Sequence, residues 1–259
     1  MPKGFFTDTT VCIGCKACEV ACKQWNQLPG DGFNFTGMSY DNTAHLGAST
    51  WRHVSFIERP AVVGEGQRAF SWLMSSDVCK HCQRAGCLEA CPTGSIMRTE
   101  FDTVFIQPDI CNGCGYCVAA CPFGVVDRLE EDGRAWKCTL CYDRLKGDLE
   151  PACAKACPTD SIQFGELSDL QNMAHARVEE LHAHGVADAY LYGADADSQP
   201  GTGGLNAFFL LVDKPEVYNL PPNPEVPTKT VGQAWGAAAV ASVGMLVAAA
   251  IAVLGARRR

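Results

Sequence analysis

The same cysteine spacing occurs twice, in CIGCKACEVAC at residues 12–22 and in CNGCGYCVAACP at residues 111–122. In each stretch two residues separate the first three cysteines, and three residues precede the fourth. Three thiolates this close together wrap around one inorganic cluster, while the fourth, carried on a helical turn, points away from it. The two stretches predict a fold built from cysteine-bearing loops and short helices.

All sixteen cysteines fall into four groups of four within the first 157 residues. The groups are Cys12, Cys15, Cys18 and Cys22; Cys79, Cys82, Cys87 and Cys91; Cys111, Cys114, Cys117 and Cys121; and Cys138, Cys141, Cys153 and Cys157. The second group widens the middle gap to four residues and the fourth group widens it to eleven. The last three groups end in Cys-Pro, and the first ends in Cys-Lys. This is an internal repeat with insertions.

The spacing favours [4Fe-4S] clusters over zinc and over disulfides. The run C-x2-C-x2-C-x3-C-P is the cluster-binding signature of bacterial ferredoxins. A tetrahedral zinc site uses two C-x2-C pairs and has no use for the third closely spaced cysteine of the first and third groups. A disulfide scaffold requires export, and residues 1–10 contain no basic stretch followed by an apolar run. We therefore expect all sixteen cysteines to ligate four [4Fe-4S] clusters, with a membrane-anchored zinc-binding interaction module as the alternative of another class.

The remaining composition excludes several functions. The formal charge is −8, and the only block of Lys or Arg is at residues 257–259, so we expect no nucleic-acid partner. The chain contains no C-x-x-C-H haem attachment, Walker loop or G-x-G-x-x-G loop, and we expect no catalytic site. Lys16, Lys80 and Lys137 lie beside cysteines and are expected to be solvated, with the alternative that their positive charge raises cluster potentials. His81 is expected at the surface or in a hydrogen bond, with metal ligation or tuning of a cluster as the alternative.

Short β-branched or alternating runs predict strands at 51–57, 69–74, 104–107, 161–164 and 207–212. Brief helical turns are predicted at 19–25, 118–120 and 154–156, and a longer helix at 168–185. The predicted parts are a four-cluster domain at 1–167 with an insertion at 26–74, a helix-strand cap at 168–218, a Pro-rich, stiff extended linker at 219–234, a transmembrane helix at 235–256 and a tail at 257–259. The fold class is α+β.

The predicted transmembrane helix has Ser242 as its only polar side chain over the 21 residues 236–256. At ~1.5 Å per residue this length covers a bilayer core of ~30 Å. A buried core helix is the alternative, but such helices usually keep a polar stripe. The three arginines that follow favour a cytoplasmic C-terminus, with residues 1 to about 230 on the outer, extracytoplasmic side of a single-pass membrane protein.

With these motifs in place, the chain resembles the four-cluster, ferredoxin-like electron-transfer subunits of molybdopterin oxidoreductases. It is most similar to the beta subunits of membrane-bound formate dehydrogenases. The segments that carry the resemblance include CIGCKACEVACKQWN at 12–26, GMSYDNT at 37–43, WRHVSF at 51–56, CKHCQRAGCLEACPTGSI at 79–96 and LPPNPEV at 220–226. The linker and anchor favour this branch over dimethyl sulfoxide or polysulfide reductase subunits, which usually lack an anchor.

The resemblance implies two nested ferredoxin-like halves, an outer half at 1–30 with 136–167 and an inner half at 75–135. The fourth cysteine of each motif then crosses to the paired motif. The implied ligand sets are Cys12, Cys15, Cys18 and Cys157 for cluster A; Cys138, Cys141, Cys153 and Cys22 for cluster B; Cys79, Cys82, Cys87 and Cys121 for cluster C; and Cys111, Cys114, Cys117 and Cys91 for cluster D. We refer to these sets as groups A to D.

The resemblance also implies partners and a direction of electron flow. A catalytic alpha subunit with a molybdenum or tungsten bis-pterin cofactor would oxidise formate, and electrons would pass through this chain to a cytochrome b gamma subunit and quinone in the lipid bilayer. The export signal would be carried by the catalytic partner. An equivalent subunit of a hydrogenase or of another molybdopterin oxidoreductase is the alternative, because an electron relay does not encode the substrate.

Overall fold

The computed structural model describes residues 1–30, 32, 43, 45–59, 72–199 and 201–256. Much of the predicted insertion at 26–74 and the whole tail at 257–259 lie outside the described residues. Within the described part, the strands are β1 (Lys3–Asp8), β2 (Arg52–Glu58), β3 (Trp72–Val78), β4 (Ile96–Arg98), β5 (Val104–Ile106), β6 (Asp127–Arg128), β7 (Ala135–Trp136), β8 (Ile162–Glu166), β9 (Tyr190–Tyr192) and β10 (Ala207–Leu211). The helices are α1 (Ala17–Asn26), α2 (Gly86–Glu89), α3 (Tyr116–Ala119), α4 (Tyr142–Lys146), α5 (Ala152–Lys155), α6 (Leu167–Ala183) and α7 (Val231–Ala256).

A four-stranded sheet joins the start of the chain to its later part. Its order is β8-β1-β10-β9, with β1 parallel to β10 and the other two pairs antiparallel. β10 is fully apolar and completely buried, as expected for a strand covered on both faces. β1, which the sequence analysis did not predict, contributes Phe5 and Phe6 to the core. The sheet therefore anchors the cysteine-bearing loops to the region predicted as a cap.

Three two-stranded hairpins flank the cysteine loops: β2-β3, β4-β5 and β6-β7. Strands were predicted at the positions of β2, β5, β8 and β10, and each lies within one or two residues of its predicted bounds. β3 begins at Trp72 and continues to Val78, four residues beyond the predicted end, while predicted residues 69–71 lie outside the described part. The α+β class, with small hairpins and short helices, is confirmed.

The predicted stiff, extended linker is wrong in part, because the linker is docked on the domain. Leu220 and Val226 are buried, and two 3-10 helices, Pro215–Tyr218 and Pro227–Thr230, flank the segment between them. Val226 contacts the region of Gly86 at the start of α2, and the Thr228 hydroxyl donates a hydrogen bond to Glu89. Apolar burial and hydrogen bonding thus hold the segment that precedes α7 against the cysteine domain.

α7 begins at Val231, four residues before the predicted start, and its 26 residues are long and apolar enough to cross a membrane. At ~1.5 Å per residue the helix measures about 39 Å, against ~30 Å for a bilayer core. None of its apolar span is buried by the rest of the chain, and Trp235 near its start is 73% exposed. A tryptophan at this place suits the water-lipid boundary.

Candidate metal centres

The four cysteine motifs share a backbone turn in front of their second cysteine. The residue at this position has a positive φ in every motif: 67° at Gly14, 44° at His81, 72° at Gly113 and 56° at Leu140. Glycine adopts this conformation at little cost, whereas a histidine or leucine there is strained. Such strain persists only where the surrounding structure requires it, and it gathers at functional sites. The turn therefore marks four equivalent loops, including the two whose spacing is widened.

Group A lines one cavity. Cys12, Cys15, Cys18 and Cys157 face it together with Ser76 and Ser161. The structure thus brings the fourth motif's last cysteine to the first motif; that the four ligate one cluster stays a prediction.

Group C lines a second cavity. Its lining includes Cys79, Cys82, Cys87 and Cys121, and the only polar side chains are those of Lys80 and His81. The Val104 N–H donates to His81 Nδ1 at 3.1 Å, so Nε2 carries the proton, yet this buried atom has no partner. Here too the structure brings together cysteines from two motifs that are far apart in the chain.

In groups B and D, the proximity of the four cysteines is indicated by the effect that each has on the pKa of the others in its group. Burial raises the pKa of Cys22 well above its usual value, and the other three cysteines of group B raise it further. Burial likewise raises the pKa of Cys117 to about 11, with added contributions from the other three cysteines of group D. Each of the four predicted sets is therefore a spatial neighbourhood in the fold.

Electrostatic interactions between cysteines link group A to group B, group B to group C and group C to group D. Burial is the largest cause of the raised pKa of Cys18 in group A, and Cys153 of group B adds to it. The pKa of Cys138 in group B is raised by burial and then by Cys79 of group C. For Cys87 in group C, burial is the largest cause of the raised pKa, and Cys117 of group D contributes. Neighbouring groups are thus close enough to interact.

Hydroxyl groups hydrogen-bond the sulfur atoms at the ends of two motifs, in a repeated C-P-T-x-S-I segment at 91–96 and 157–162. Cys91 Sγ lies 3.2 Å from Ser95 Oγ and 3.6 Å from Thr93 Oγ1, and Cys157 Sγ lies 3.8 Å from Thr159 Oγ1. Although slight burial raises the pKa of Cys91, these hydrogen bonds lower it overall to about 7. The sequence analysis did not predict these hydroxyl groups. They could have been found by comparing the two motif endings, which share the same Thr and Ser positions.

Three cations are buried among the groups, where the sequence analysis expected solvated lysines. Lys80 and Lys137 are 1% and 2% exposed, so that expectation is wrong for both, while Lys16 is partly buried. Arg52, which was not singled out, is 1% exposed. His81 is also buried and accepts a hydrogen bond, which agrees with the hydrogen-bonding role and not with a surface one. Buried cations at these positions offset negative charge nearby.

The residues present fit [4Fe-4S] clusters by their chemistry. Each group offers four thiols, the ligand set of a cubane. Without metal, burial raises the pKa of most of these thiols, so iron must displace protons on binding. The buried Nε and Nη2 of Arg52 and Nε2 of His81 lack hydrogen-bond acceptors, which anionic cluster sulfur would supply. Among the described residues, no three His, Cys, Asp or Glu side chains converge on the position of a single metal ion.

Comparison with known proteins identifies the family. Two families, both described as 4Fe-4S dicluster domains, match residues 11–95 and 70–167 and together span more than half of the chain. The formate dehydrogenase iron-sulfur subunit of Haemophilus influenzae is 42% identical over 224 residues, which cover 85% of this chain and 68% of that protein.

Two Escherichia coli proteins extend the comparison. The iron-sulfur subunit of the nitrate-inducible formate dehydrogenase is 40% identical over 225 residues, covering 85% of this chain and 73% of that protein. A subunit of the anaerobic dimethyl sulfoxide reductase is 32% identical over 168 residues, covering 65% of this chain and 75% of that subunit. The dicluster matches support [4Fe-4S] clusters over zinc as the cofactors of this chain. The chain belongs to the formate dehydrogenase iron-sulfur subunits, which transfer electrons and are not themselves catalytic.

Proposed function

We propose that this chain carries electrons through four [4Fe-4S] clusters, held by groups A to D, from a formate-oxidising catalytic subunit to a membrane cytochrome b and quinone. The carrying observation is the uninterrupted order of the four groups, in which each group interacts electrostatically with the next. Each group supplies the four thiolates of one cubane. A line of four redox centres in a chain with no catalytic motif supports a relay and not a reaction site.

The two ends of this line are the parts that reach the surface. Cys15 of group A and Cys114 of group D are the exposed cysteines, whereas all four cysteines of group B are buried. A relay needs access for partners at its entrance and exit and protection from water between them. Exposure at groups A and D, with group B buried between them, supports electron exchange with partners at the two ends.

The docked linker indicates which end of the line of cysteine groups faces the membrane. The segment before α7 is held against α2 by Val226 and by the hydrogen bond from Thr228 to Glu89. α2 carries Cys87 of group C and packs beside α3, which carries Cys117 of group D. We therefore assign group D to the exit toward the membrane subunit and group A to the entrance from the catalytic subunit.

The relatives' names supply the substrate of the proposed complex. Two of the relatives described above are subunits of formate dehydrogenases, so the catalytic partner would use a bis-pterin metal cofactor to oxidise formate. The chain would be single-pass, with the cluster domain outside the cytoplasm and the arginines of the C-terminus inside. The match to the dimethyl sulfoxide reductase subunit supports one alternative, in which the same relay runs to or from a sulfoxide-reducing partner.

The test uses the native complex purified from membranes, with the exit cluster removed by Cys114→Ala. Formate is expected to reduce an artificial dye in both the unmodified and the Cys114→Ala complexes, because the catalytic partner stays intact. Reduction of quinone by formate is expected to fall at least tenfold in the variant. Tyr116→Phe is the matched control, since Tyr116 is 62% exposed beside the same loop and carries no ligand.

Three outcomes of this experiment are informative. If formate bleaches the cluster absorption and only the Cys114→Ala complex fails to reduce quinone, the proposed direction stands. If quinone reduction is unchanged in Cys114→Ala, group D is not the exit. If formate is inert while a sulfoxide reoxidises the reduced clusters, the relay belongs to the alternative partner.

A further inference from the structure

Arg52 is an unusual cation because it is fully buried without a carboxylate partner. It opens β2, and the hairpin directs its side chain into the core cluster that contains Phe5 and several cysteines. Its guanidinium carbon lies 4.9 Å from the centre of the Phe5 ring. No ion pair joins Arg52 to an acidic residue anywhere in the described part of the chain. Burial of an arginine under these conditions is costly unless negative charge lies nearby.

The hydrogen bonds of Arg52 satisfy only part of its guanidinium. Nη1 donates to the Ser76 carbonyl at 3.3 Å and to the Ser76 hydroxyl at 3.0 Å. The same hydroxyl lies 3.3 Å from Cys18 Sγ in group A. Nε and Nη2 are buried and have no acceptor. Two nitrogen donors of a permanent cation are therefore available for an acceptor that the protein itself does not supply.

The Phe5 ring against which Arg52 packs belongs to a buried cluster that contains cysteines of both group A and group B. Although burial lowers the pKa of Arg52, neighbouring cysteines raise it overall, and they belong to both groups: Cys153, Cys18, Cys138 and Cys22. Arg52 in turn opposes the raised pKa of Cys18 and of Cys22. The two cysteine groups thus share one cation.

The other buried cations are compensated differently. Lys80 pairs with the Asp77 carboxylate, so its charge is largely neutralised. Lys137 donates to two backbone carbonyls, those of Val104 and Cys138. Only Arg52, among these three, combines complete burial with unsatisfied donors and no carboxylate. The positive charge of Arg52 is therefore not neutralised by a nearby carboxylate, and carbonyl groups satisfy only part of it. Of the three buried cations, it has the least screened effect on neighbouring groups.

We infer that Arg52 tunes the first two clusters of the relay, raising the reduction potentials of clusters A and B together. Reduction adds one electron to an anionic cluster, and a buried cation nearby stabilises the reduced form more than the oxidised form. Because one cation lies near both sites, it lowers the energy of an electron on either cluster. This inference rests on the proposed function, since it requires clusters at both groups.

The test compares Arg52→Gln and Arg52→Lys in the complete complex, by redox titration followed with electron paramagnetic resonance. In Arg52→Gln, the one-electron equilibria of clusters A and B are expected to shift at least tenfold toward the oxidised form, which is about 59 mV. Clusters C and D are expected to keep their potentials, and Arg52→Lys is expected to restore most of the shift.

Arg59→Gln is the matched control, because Arg59 is a buried cation just after the same strand but is paired with Asp213. It is expected to leave all cluster potentials unchanged. If Arg52→Gln loses about half of the iron, Arg52 is needed to hold the two clusters and the inference of raised potentials fails. If both variants lose iron equally, or if Arg52→Gln leaves the potentials of clusters A and B unchanged, Arg52 has only a structural role.

Failure of the inference is distinguishable from failure of the proposed function. An unmodified complex that lacks cluster signals overturns the relay itself. An unmodified complex with normal cluster signals, combined with unshifted potentials in Arg52→Gln, overturns only the role of Arg52.

Discussion

Substitution of Gly86, where α2 contacts the end of α3, tests how the fold positions groups C and D. A Cβ atom at Gly86 would lie 2.4 Å from the Ala120 carbonyl oxygen and 3.3 Å from Val226 Cγ1. Ordinary van der Waals contact begins at 3.4 Å, so Gly86→Ala requires the two backbones to separate by about 1.0 Å. Overpacking of this kind typically costs ~1–3 kcal/mol. Because Gly86 and Ala120 each precede a cysteine of group C, the separation also moves two of its four thiols.

The assay is thermal loss of the visible cluster absorption, together with iron content, for Gly86→Ala and for Gly30→Ala. Among the described residues, no atom lies within 4 Å of a Cβ placed at Gly30, so this control is expected to be neutral or to stabilise by ~0.4–1 kcal/mol. For a chain of this size, 1 kcal/mol corresponds to roughly 2–4 °C. Gly86→Ala should therefore lower the midpoint by about 2–12 °C and release iron first from cluster C. An unchanged midpoint and full iron content would refute the close α2-α3 contact.

Three further predictions concern the linker, the anchor and a sulfur hydrogen bond. Val226→Ala, which removes two methyl groups of a fully buried side chain, should cost ~1.5–3 kcal/mol and speed proteolysis of the linker. Val231→Ala, at a 45% exposed position, should do neither. Truncation after Thr230 should release the protein from membranes into carbonate buffer, and continued membrane retention would count against α7 as the anchor. Ser95→Ala, which removes the 3.2 Å contact to Cys91, should lower the potential of cluster D by redox titration, because hydrogen bonds to sulfur raise it.

The parts of the fold that depend on local pattern could be predicted. Two-residue and three-residue gaps between cysteines define the loops, and apolar spacing defines α6 within two residues at each end. The long apolar run defines α7 apart from its first turn, where the 3-10 helix at Pro227–Thr230 leads directly into it. These features are encoded within a few residues of each other, which is why sequence periodicity detects them.

The parts that depend on distant partners could not be predicted. β1 pairs in parallel with β10, about 200 residues later, and six residues at the N-terminus give no sign of that partner. Arg52 lies in a predicted strand and was not singled out from the sequence; only the tertiary packing of Phe5 and Ser76 around it reveals its burial. The burial of Lys80 was not predicted for the same reason, because its ammonium group forms an ion pair with the Asp77 carboxylate in the folded chain.

The central claim is that four cubane clusters occupy the four cysteine groups, and iron with acid-labile sulfide per chain tests it most directly. Measured on the complex purified without oxygen and corrected for partner subunits, the account predicts about sixteen irons and about sixteen sulfides for this chain, four of each per cubane. About eight of each, or zinc in place of iron, would contradict it.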